Sequence, residues 1–155
     1  MNYLKLCFFV TFFVTNSYSQ KDVSLQKIRF HHQNAAYFNS EISVLIYQDF
    51  EDKTIFYVEV ETSKHKNRYS TTYEEVLKLS DVVSKISPND IIKMERICLD
   101  SGNTEIEFSK DLFGGSVKYA VNCLNSNDNE TAWKDFFKSV IMILKLAKLE
   151  FSDLK

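Results

Sequence analysis

The sequence predicts an α+β protein, a two-layer sandwich in which an antiparallel sheet of about five strands carries two helices packed on one face. Segments with alternating apolar and polar residues follow one another across short turns, which is typical of antiparallel hairpins. Two other segments place apolar residues three and four positions apart, which predicts amphipathic helices. The order is strand, strand, helix, three strands, helix, so the regular helical crossovers of a parallel sheet are missing.

The first nineteen residues have the organisation of an export signal. Lys5 supplies the positive charge, Leu6 to Val14 form a short apolar run, and Ser17-Tyr18-Ser19 is a cleavage site with small residues at its first and third positions. The apolar run is shorter than the roughly 20 residues that a membrane-spanning helix needs. We therefore expect a signal peptide over residues 1–19, a single domain over 20–155, and export to the periplasm or the extracellular space.

Charge and composition exclude two classes of partner. Cleavage removes one charge, that of Lys5, and leaves 18 basic and 21 acidic side chains, a formal net charge of −3. Nucleic acids and anionic membranes require a concentrated basic face, and the charges here are mixed along the chain. We expect neither nucleic acid binding nor stable membrane insertion after cleavage, and a partner that is another protein.

Cleavage also removes Cys7, so Cys98 and Cys123 are the two cysteines of the mature chain. An even pair in an exported protein predicts a disulfide, and by the loop-closure model a bridge around about 25 residues stabilises by roughly 3 kcal/mol. Two buried free thiols are the alternative.

The first half of the chain predicts a hairpin and a helix. Residues 23–30 form an extended segment with imperfect alternation, and Glu41 to Tyr47 and Thr54 to Glu61 alternate clearly, so these two pair across the polar stretch 49–53. A polar loop follows from Ser63 to Ser70. Overlapping capping boxes at Thr71 and Thr72 then begin a helix over Tyr73 to Ile86, which Pro88 ends.

The second half predicts three strands and a long helix. A short strand around Ile97 and Leu99 turns at residues 100–103, residues 104–108 alternate, and Gly114-Gly115 reverses the chain into 117–123, where Cys123 points toward the core. Asn127 and Glu130 form a capping box before the last helix. Its apolar stripe comprises Trp133, Phe136, Phe137, Val140, Ile141, Leu144 and Ala147. Further apolar residues widen the stripe, which predicts either a nearly enclosed helix or a second surface for a partner.

Phe50 is the strongest candidate for a partner contact. It lies between Asp49 and Glu51 in the turn of the first hairpin, and an aromatic side chain exposed on a turn is an available anchor. The alternative is that the ring folds back over its own hairpin. The acidic residues of this turn lack the spacing of a calcium loop.

No motif predicts catalysis, a cofactor or a metal site. His31 and His32 are adjacent and would project to opposite faces of a strand, and His65 lies in a polar loop, so we expect ordinary surface or edge histidines. Ser116 lacks the nucleophile-elbow motif. The carboxylates of Glu59, Glu61, Glu105 and Glu107 could form an acid/base pair if their strands were neighbours, but alternating glutamates are typical of a solvent face. Asn129-Glu130-Thr131 is a glycosylation sequon.

These observations favour a small exported, non-catalytic domain that acts as a protein-binding or inhibitory, immunity-like module. A secreted carboxylate-dependent hydrolase and a structural component of the cell envelope are the alternatives. Architecture alone does not choose among them.

Overall fold

A computed structural model describes residues 27–34, 40–92, 102–109 and 115–154. The α+β class is confirmed, and these residues contain six antiparallel strands where about five are predicted. The strands are β1 (Lys27–Gln33), β2 (Glu41–Gln48), β3 (Phe56–Thr62), β4 (Lys66–Thr71), β5 (Asn103–Ser109) and β6 (Ser116–Asn122). The helices are α1 (Tyr73–Val83), the short α2 (Pro88–Ile92) and α3 (Lys134–Leu146), and single 3₁₀ turns cover Ser126–Glu130 and Phe151–Leu154.

The sheet order is β4-β3-β2-β1-β5-β6, so the first strand in sequence lies in the interior of the sheet. The four strands β1 to β4 form a meander, and β5 then pairs with the free side of β1. Every pairing is antiparallel, and the register is continuous across the sheet: Phe30 of β1 lies opposite Val44 of β2 and Ile106 of β5. Alternate residues of neighbouring strands therefore align on the same face.

One face of the sheet carries the core, and α1 and α3 cover it. Phe30, Phe56 and Phe136 are buried here, all at most 1% exposed, together with Trp133 at 2%. Residues from β1, β2, β3, β5 and β6 share one apolar cluster with residues from the two helices, including Ile28, Val44, Val58, Ile106, Val76, Leu79, Val140 and Leu144. Burial at this scale supplies the main stabilisation of the fold.

The start of α1 is confirmed, and its predicted end is wrong. Thr72 and Glu75 form the capping box, each side chain accepting a hydrogen bond from the other residue's backbone N–H. The helix ends at Val83 rather than Ile86, and Pro88 begins α2. Proline suits the first position of a helix because its missing N–H has no partner there.

The predicted loop over Ser63 to Ser70 is wrong in its second half, where β4 forms. Its sequence is polar because β4 is an edge strand that buries little, and only Tyr69 packs partly against the core. The capping box before α3 is also misplaced: Asn125 and Asp128, rather than Asn127 and Glu130, cap the 3₁₀ turn. The predicted strand around Ile97 and Leu99 and the residue Gly114 lie outside the described residues.

Candidate functional site

The turn between β2 and β3, residues 49–55, holds Phe50 in solvent. Its side chain is 94% exposed, so the alternative in which the ring folds over its own hairpin is wrong. Asp49 Oδ1 accepts hydrogen bonds from the backbone N–H groups of Glu51 and Asp52, both at 2.8 Å. Single exposed apolar residues are common, but this one stands on a turn whose shape is set by side-chain hydrogen bonds.

A second aspartate completes the turn. Asp52 Oδ1 accepts from the backbone N–H of Thr54 at 2.9 Å and from its hydroxyl at 2.6 Å, and these bonds lower the pKa of the Asp52 carboxyl. The backbone bond from Asp49 N–H to the Ile55 carbonyl, 2.9 Å, closes the hairpin. Residues 49–53 carry three acidic and one basic side chain, a formal net charge of −2. The hairpin tip is therefore an ordered acidic turn that presents one phenyl ring.

The sheet face opposite the helices, which we call the open face, bears an aromatic cluster next to this tip. Tyr47 and Tyr57 lie opposite each other on β2 and β3, with ring centroids 5.8 Å apart. The guanidinium of Arg68 stacks 3.6 Å above the Tyr57 ring. The Tyr47 hydroxyl donates to Glu59 Oε1 at 2.8 Å, and burial together with this bond raises the Tyr47 pKa. Tyrosine and arginine are enriched in protein interfaces.

Charges on the rest of the open face form stripes along the strands. Cations on β4 and β1 flank anions on β3, and the anions of β5 lie between the cations of β1 and β6. The charged residues are, strand by strand, Lys66 and Arg68 on β4, Glu59 and Glu61 on β3, Lys27 and Arg29 on β1, Glu105 and Glu107 on β5, and Lys118 on β6. Neighbouring stripes form ion pairs, as in Arg29 Nη1 to Glu107 Oε2 at 2.8 Å and Lys118 Nζ to Glu105 Oε2 at 2.6 Å.

This arrangement separates the two glutamate pairs that could have formed an acid/base site. Glu59 and Glu61 lie on β3 and Glu105 and Glu107 on β5, with β2 and β1 between them. Three strand spacings amount to about 14 Å, wider than the carboxylate separations that glycosidases use. The hydrogen bond from Lys118 lowers the pKa of Glu105, and one from Ser116 lowers that of Glu107, whereas a general acid needs a raised value.

An open, polar depression of about 450 Å³ lies at the end of the open face away from the hairpin tip, lined by Glu41, Ser43, Glu61, Thr62 and Ser63. In the register of the sheet, the small Ser43 lies between Glu61 and His31. Lys66 Nζ pairs with Glu61 at 3.1 Å, and His31 Nδ1 lies 3.4 Å from Glu41. Its acidic side chains are thus already engaged by basic ones.

His31 and His32 project to opposite faces, as predicted, but His32 is not a surface or edge residue. It is 5% exposed in the core, where Nδ1 lies 2.9 Å from Thr104 Oγ1 and Nε2 lies 2.8 Å from the Leu154 carbonyl oxygen. His65 lies in the turn between β3 and β4, within 3.2 Å of the Thr62 hydroxyl. In the part of the chain that the structure describes, no three His, Cys, Asp or Glu residues are grouped to hold a metal ion.

Cys123 follows β6 and is 8% exposed, with its N–H donating to the Gly102 carbonyl at 3.1 Å. Its φ of 61° is unusual for a residue other than glycine. Cys98 lies outside the described residues, so the pairing of the two cysteines stays a prediction. Asn129 is exposed in the 3₁₀ turn, where the Thr131 hydroxyl of its sequon donates to the Asp128 carbonyl at 3.0 Å.

Sequence patterns located the hairpin tip but missed the aromatic cluster beside it. Arg68 lies in the stretch interpreted as a loop, so its register opposite Glu59 could not be foreseen. Tyr69 between two polar neighbours was the available signal, because one aromatic residue in a short polar segment can mark an edge strand.

A comparison with protein-family models, with curated proteins and with solved structures finds no match to this chain. Within the described residues, none of the helices combines the length and the apolar character required to cross a membrane.

Proposed function

We propose that this chain is an exported, non-catalytic module that binds another protein through its hairpin tip, as a binding or inhibitory, immunity-like domain. The observation that carries the proposal is Phe50, 94% exposed on a turn shaped by Asp49 and Asp52. Interfaces obtain most of their affinity from a few aromatic or arginine anchors. A turn that is ordered before binding loses little conformational freedom when the anchor is inserted.

The shape and the charge of the hairpin tip indicate the kind of surface that it would bind. The tip projects from the end of a sheet, so it suits a concave surface such as a cleft with an apolar pocket for one phenyl ring. The formal charge of −2 over residues 49–53 favours lysine or arginine at the rim of that pocket. Tyr47, Tyr57 and Arg68 continue the same surface onto the open face and supply the residue types that interfaces favour.

Export and a disulfide are parts of the same proposal. The leader pattern of residues 1–19 supports export, and an oxidising compartment supports a bridge between Cys98 and Cys123. Cys123 N–H donates to the carbonyl of Gly102, which comes four positions after Cys98 in the sequence. Intact mass of the mature protein before and after reduction tests the bridge, because reduction adds about 2 Da and frees two thiols for alkylation.

Charge favours binding a different protein over assembly from copies of this chain through the open face. A symmetric dimer with aligned strands has a two-fold axis either along or across the strands. The first places β4 against β6 and β3 against β5, and the second places each strand against itself. In the first arrangement Arg68 would face Lys118 and Glu59 would face Glu107, and each of these pairs has like charge. In the second, each charged strand would face its own copy, so both arrangements bring like charges together.

The hydrolase alternative has less support. It requires a carboxyl group whose environment raises its pKa, and the glutamates of β5 are instead paired with Lys118 and Arg29 and have lowered pKa values.

The test is capture of partners from the native exported fraction with immobilised wild-type protein, Phe50→Ala and Leu77→Ala. Leu77 is a matched control because it is also an exposed apolar side chain, on α1. A partner supports the proposal only if Phe50→Ala weakens its binding at least tenfold, the change typical of an anchor residue, and Leu77→Ala leaves it within about twofold. Equal binding by all three proteins, or repeated recovery of no partner, contradicts it.

A second pair of variants tests whether the order of the turn matters. Asp49→Ala removes the two hydrogen bonds that Asp49 Oδ1 accepts in the tip, whereas Asp49→Asn keeps an oxygen at the accepting position. We expect Asp49→Ala to weaken partner binding several-fold more than Asp49→Asn does, because the free turn then samples conformations that do not bind. Isothermal titration of the purified partner measures both affinities.

A further inference from the structure

The end of α3 turns back onto the sheet through the 3₁₀ turn Phe151–Leu154, which we call the C-terminal clasp. Lys148 takes a φ of 57° and reverses the chain at the helix end. The Phe151 ring packs edge-on against Phe137 with centroids 5.3 Å apart, and Leu154 is 7% exposed. The Leu154 carbonyl oxygen then meets the buried ring of His32 at 2.8 Å.

The contacts of His32 select one form of its ring. A carbonyl oxygen can only accept, so Nε2 carries the hydrogen that bonds to Leu154. In the neutral ring Nδ1 is then an acceptor, and the Thr104 hydroxyl donates to it across 2.9 Å. Protonation of Nδ1 would require the Thr104 hydroxyl to accept instead of donate and to turn its own hydrogen toward another acceptor, and Thr104 is 0% exposed to solvent.

The ring is also tightly enclosed. A side-chain carbon added to Gly102 would lie 2.7 Å from His32 Cε1 and 2.5 Å from the Gln33 carbonyl oxygen. His32 belongs to β1, which is paired on both sides by β2 and β5, so the strands cannot part without loss of the sheet. The clasp is one short turn, which makes its detachment the least costly way for water to reach the ring.

The described residues that the structure places against the ring carry no charge that would stabilise an imidazolium. Ile42 on β2, Thr104 on β5, Gly102 and Leu154 are neutral. His31, next in sequence, disfavours a second positive charge. The titratable groups on the paired strands are Glu41 and Tyr47 on β2 and Glu105 and Glu107 on β5, all in register with residues of the open face. The clasp region adds Glu150 and Asp153, where Asp153 Oδ2 accepts from Glu150 N–H at 2.8 Å. Lys155 lies outside the described residues.

We propose that the C-terminal clasp is a pH-sensitive element that detaches from the sheet when His32 takes up a proton. Burial lowers the pKa of His32 below its ordinary value of 6.5 in the closed state. The hydrated ring of the open state recovers the ordinary value, so below that pH the open state binds the proton and gains population. Stability of the closed clasp is complete above this range and falls as the pH drops through it. The proposal does not depend on the function of the hairpin tip.

Hydrogen exchange at pH 7.5 and pH 5.0 tests the proposal with wild type, His32→Gln and His31→Gln. The adjacent histidine is a matched control because it is solvent-facing and the same residue type. We expect protection factors of the amides in residues 151–154, corrected for the intrinsic effect of pH, to fall by up to about thirty-fold in wild type and in His31→Gln. In His32→Gln the fall should be less than about twofold, and amides of β2 should keep their protection in all three proteins.

A titration of the wild-type histidine rings by NMR keeps the test independent of how well His32→Gln folds. The midpoint of clasp opening must follow protonation of His32, and the ring must show the Nε2–H form at neutral pH. Clasp opening that persists in a folded His32→Gln, that follows His31 instead, or that occurs together with loss of protection in β2 overturns the proposal.

Discussion

The two faces of the sheet differ in how they contribute to stability, although alternate residues of the same strands form them. On β1, Phe30 is fully buried under the helices, whereas its neighbour Arg29 keeps 48% of its side chain exposed and pairs with Glu107. The covered face obtains its stability from apolar packing, which is non-directional and large. The ion pairs of the open face are screened by solvent, so they contribute little to stability but affect which surfaces can approach.

Adjacent substitutions on β1 give the largest expected contrast. Phe30→Ala removes a fully buried aromatic ring and should lower the free energy of unfolding by about 3–5 kcal/mol. Arg29→Ala should lower it by at most about 1 kcal/mol, because a half-exposed ion pair is worth little. Urea unfolding of both variants measures the difference.

Phe30→Leu serves if the alanine variant fails to fold, and it should still cost more than Arg29→Ala. Similar losses for the two faces would mean that helix packing does not dominate the stability of this sheet.

Two glycines compare an enclosed position, Gly102, with an open one, Gly115, and we expect an intermediate loss of stability. In Gly102→Ala the new carbon would lie within 3.0 Å of His32 and of the Gln33 carbonyl, so the backbone or the ring must move. We expect a loss of about 1–3 kcal/mol.

Gly115→Ala is the control, because a carbon added there meets no atom within 4 Å. It should leave the midpoint of thermal unfolding nearly unchanged. An equal effect of the two alanines would contradict the tight enclosure of His32.

The smallest expected change in stability concerns the ion pair between Glu105 and Lys118 on the open face, and how it depends on pH. Lys118 lowers the pKa of Glu105, so the charged carboxylate stabilises the fold above the ordinary value of 4.5, and this contribution is lost as the pH falls through the lowered value. Glu105→Gln and Lys118→Met should each cost less than about 1 kcal/mol at pH 7, because Lys118 is more than half exposed.

The double variant should cost less than the sum of the two single variants, since each removes the same ion pair. Guanidinium would screen the pair, so urea unfolding at pH 7 and pH 3 is the appropriate measurement. Additive losses would show that the two side chains do not interact in solution.

Local patterns predicted the elements that are stabilised by contacts between residues close together in the sequence. Alternation in Ile42, Val44 and Ile46 gave the buried face of β2, and Thr72 with Glu75 gave the start of α1, because capping groups lie within one turn of each other. The candidate anchor Phe50 was identified the same way, from its place between two polar turn residues.

Long-range contacts were not predictable in this way. His32 interrupts the apolar alternation of β1, so nothing local indicates that it occupies a core position. Its partners Thr104 and Leu154 lie 72 and 122 residues away in sequence. The polar strand β4 was likewise missed, because its pairing with β3 uses backbone groups that every residue possesses.

The amino-acid sequence by itself therefore determined the α+β class, the covered face of the main strands and the exposed position of the hairpin turn, since hydrophobic periodicity and turn chemistry act over a few residues. Only the tertiary structure decided the strand order, the charge stripes of the open face and the enclosure of His32 by the C-terminal clasp. Those features arise from pairings between distant segments, whose geometry is set by the packing of the whole chain rather than by any local preference.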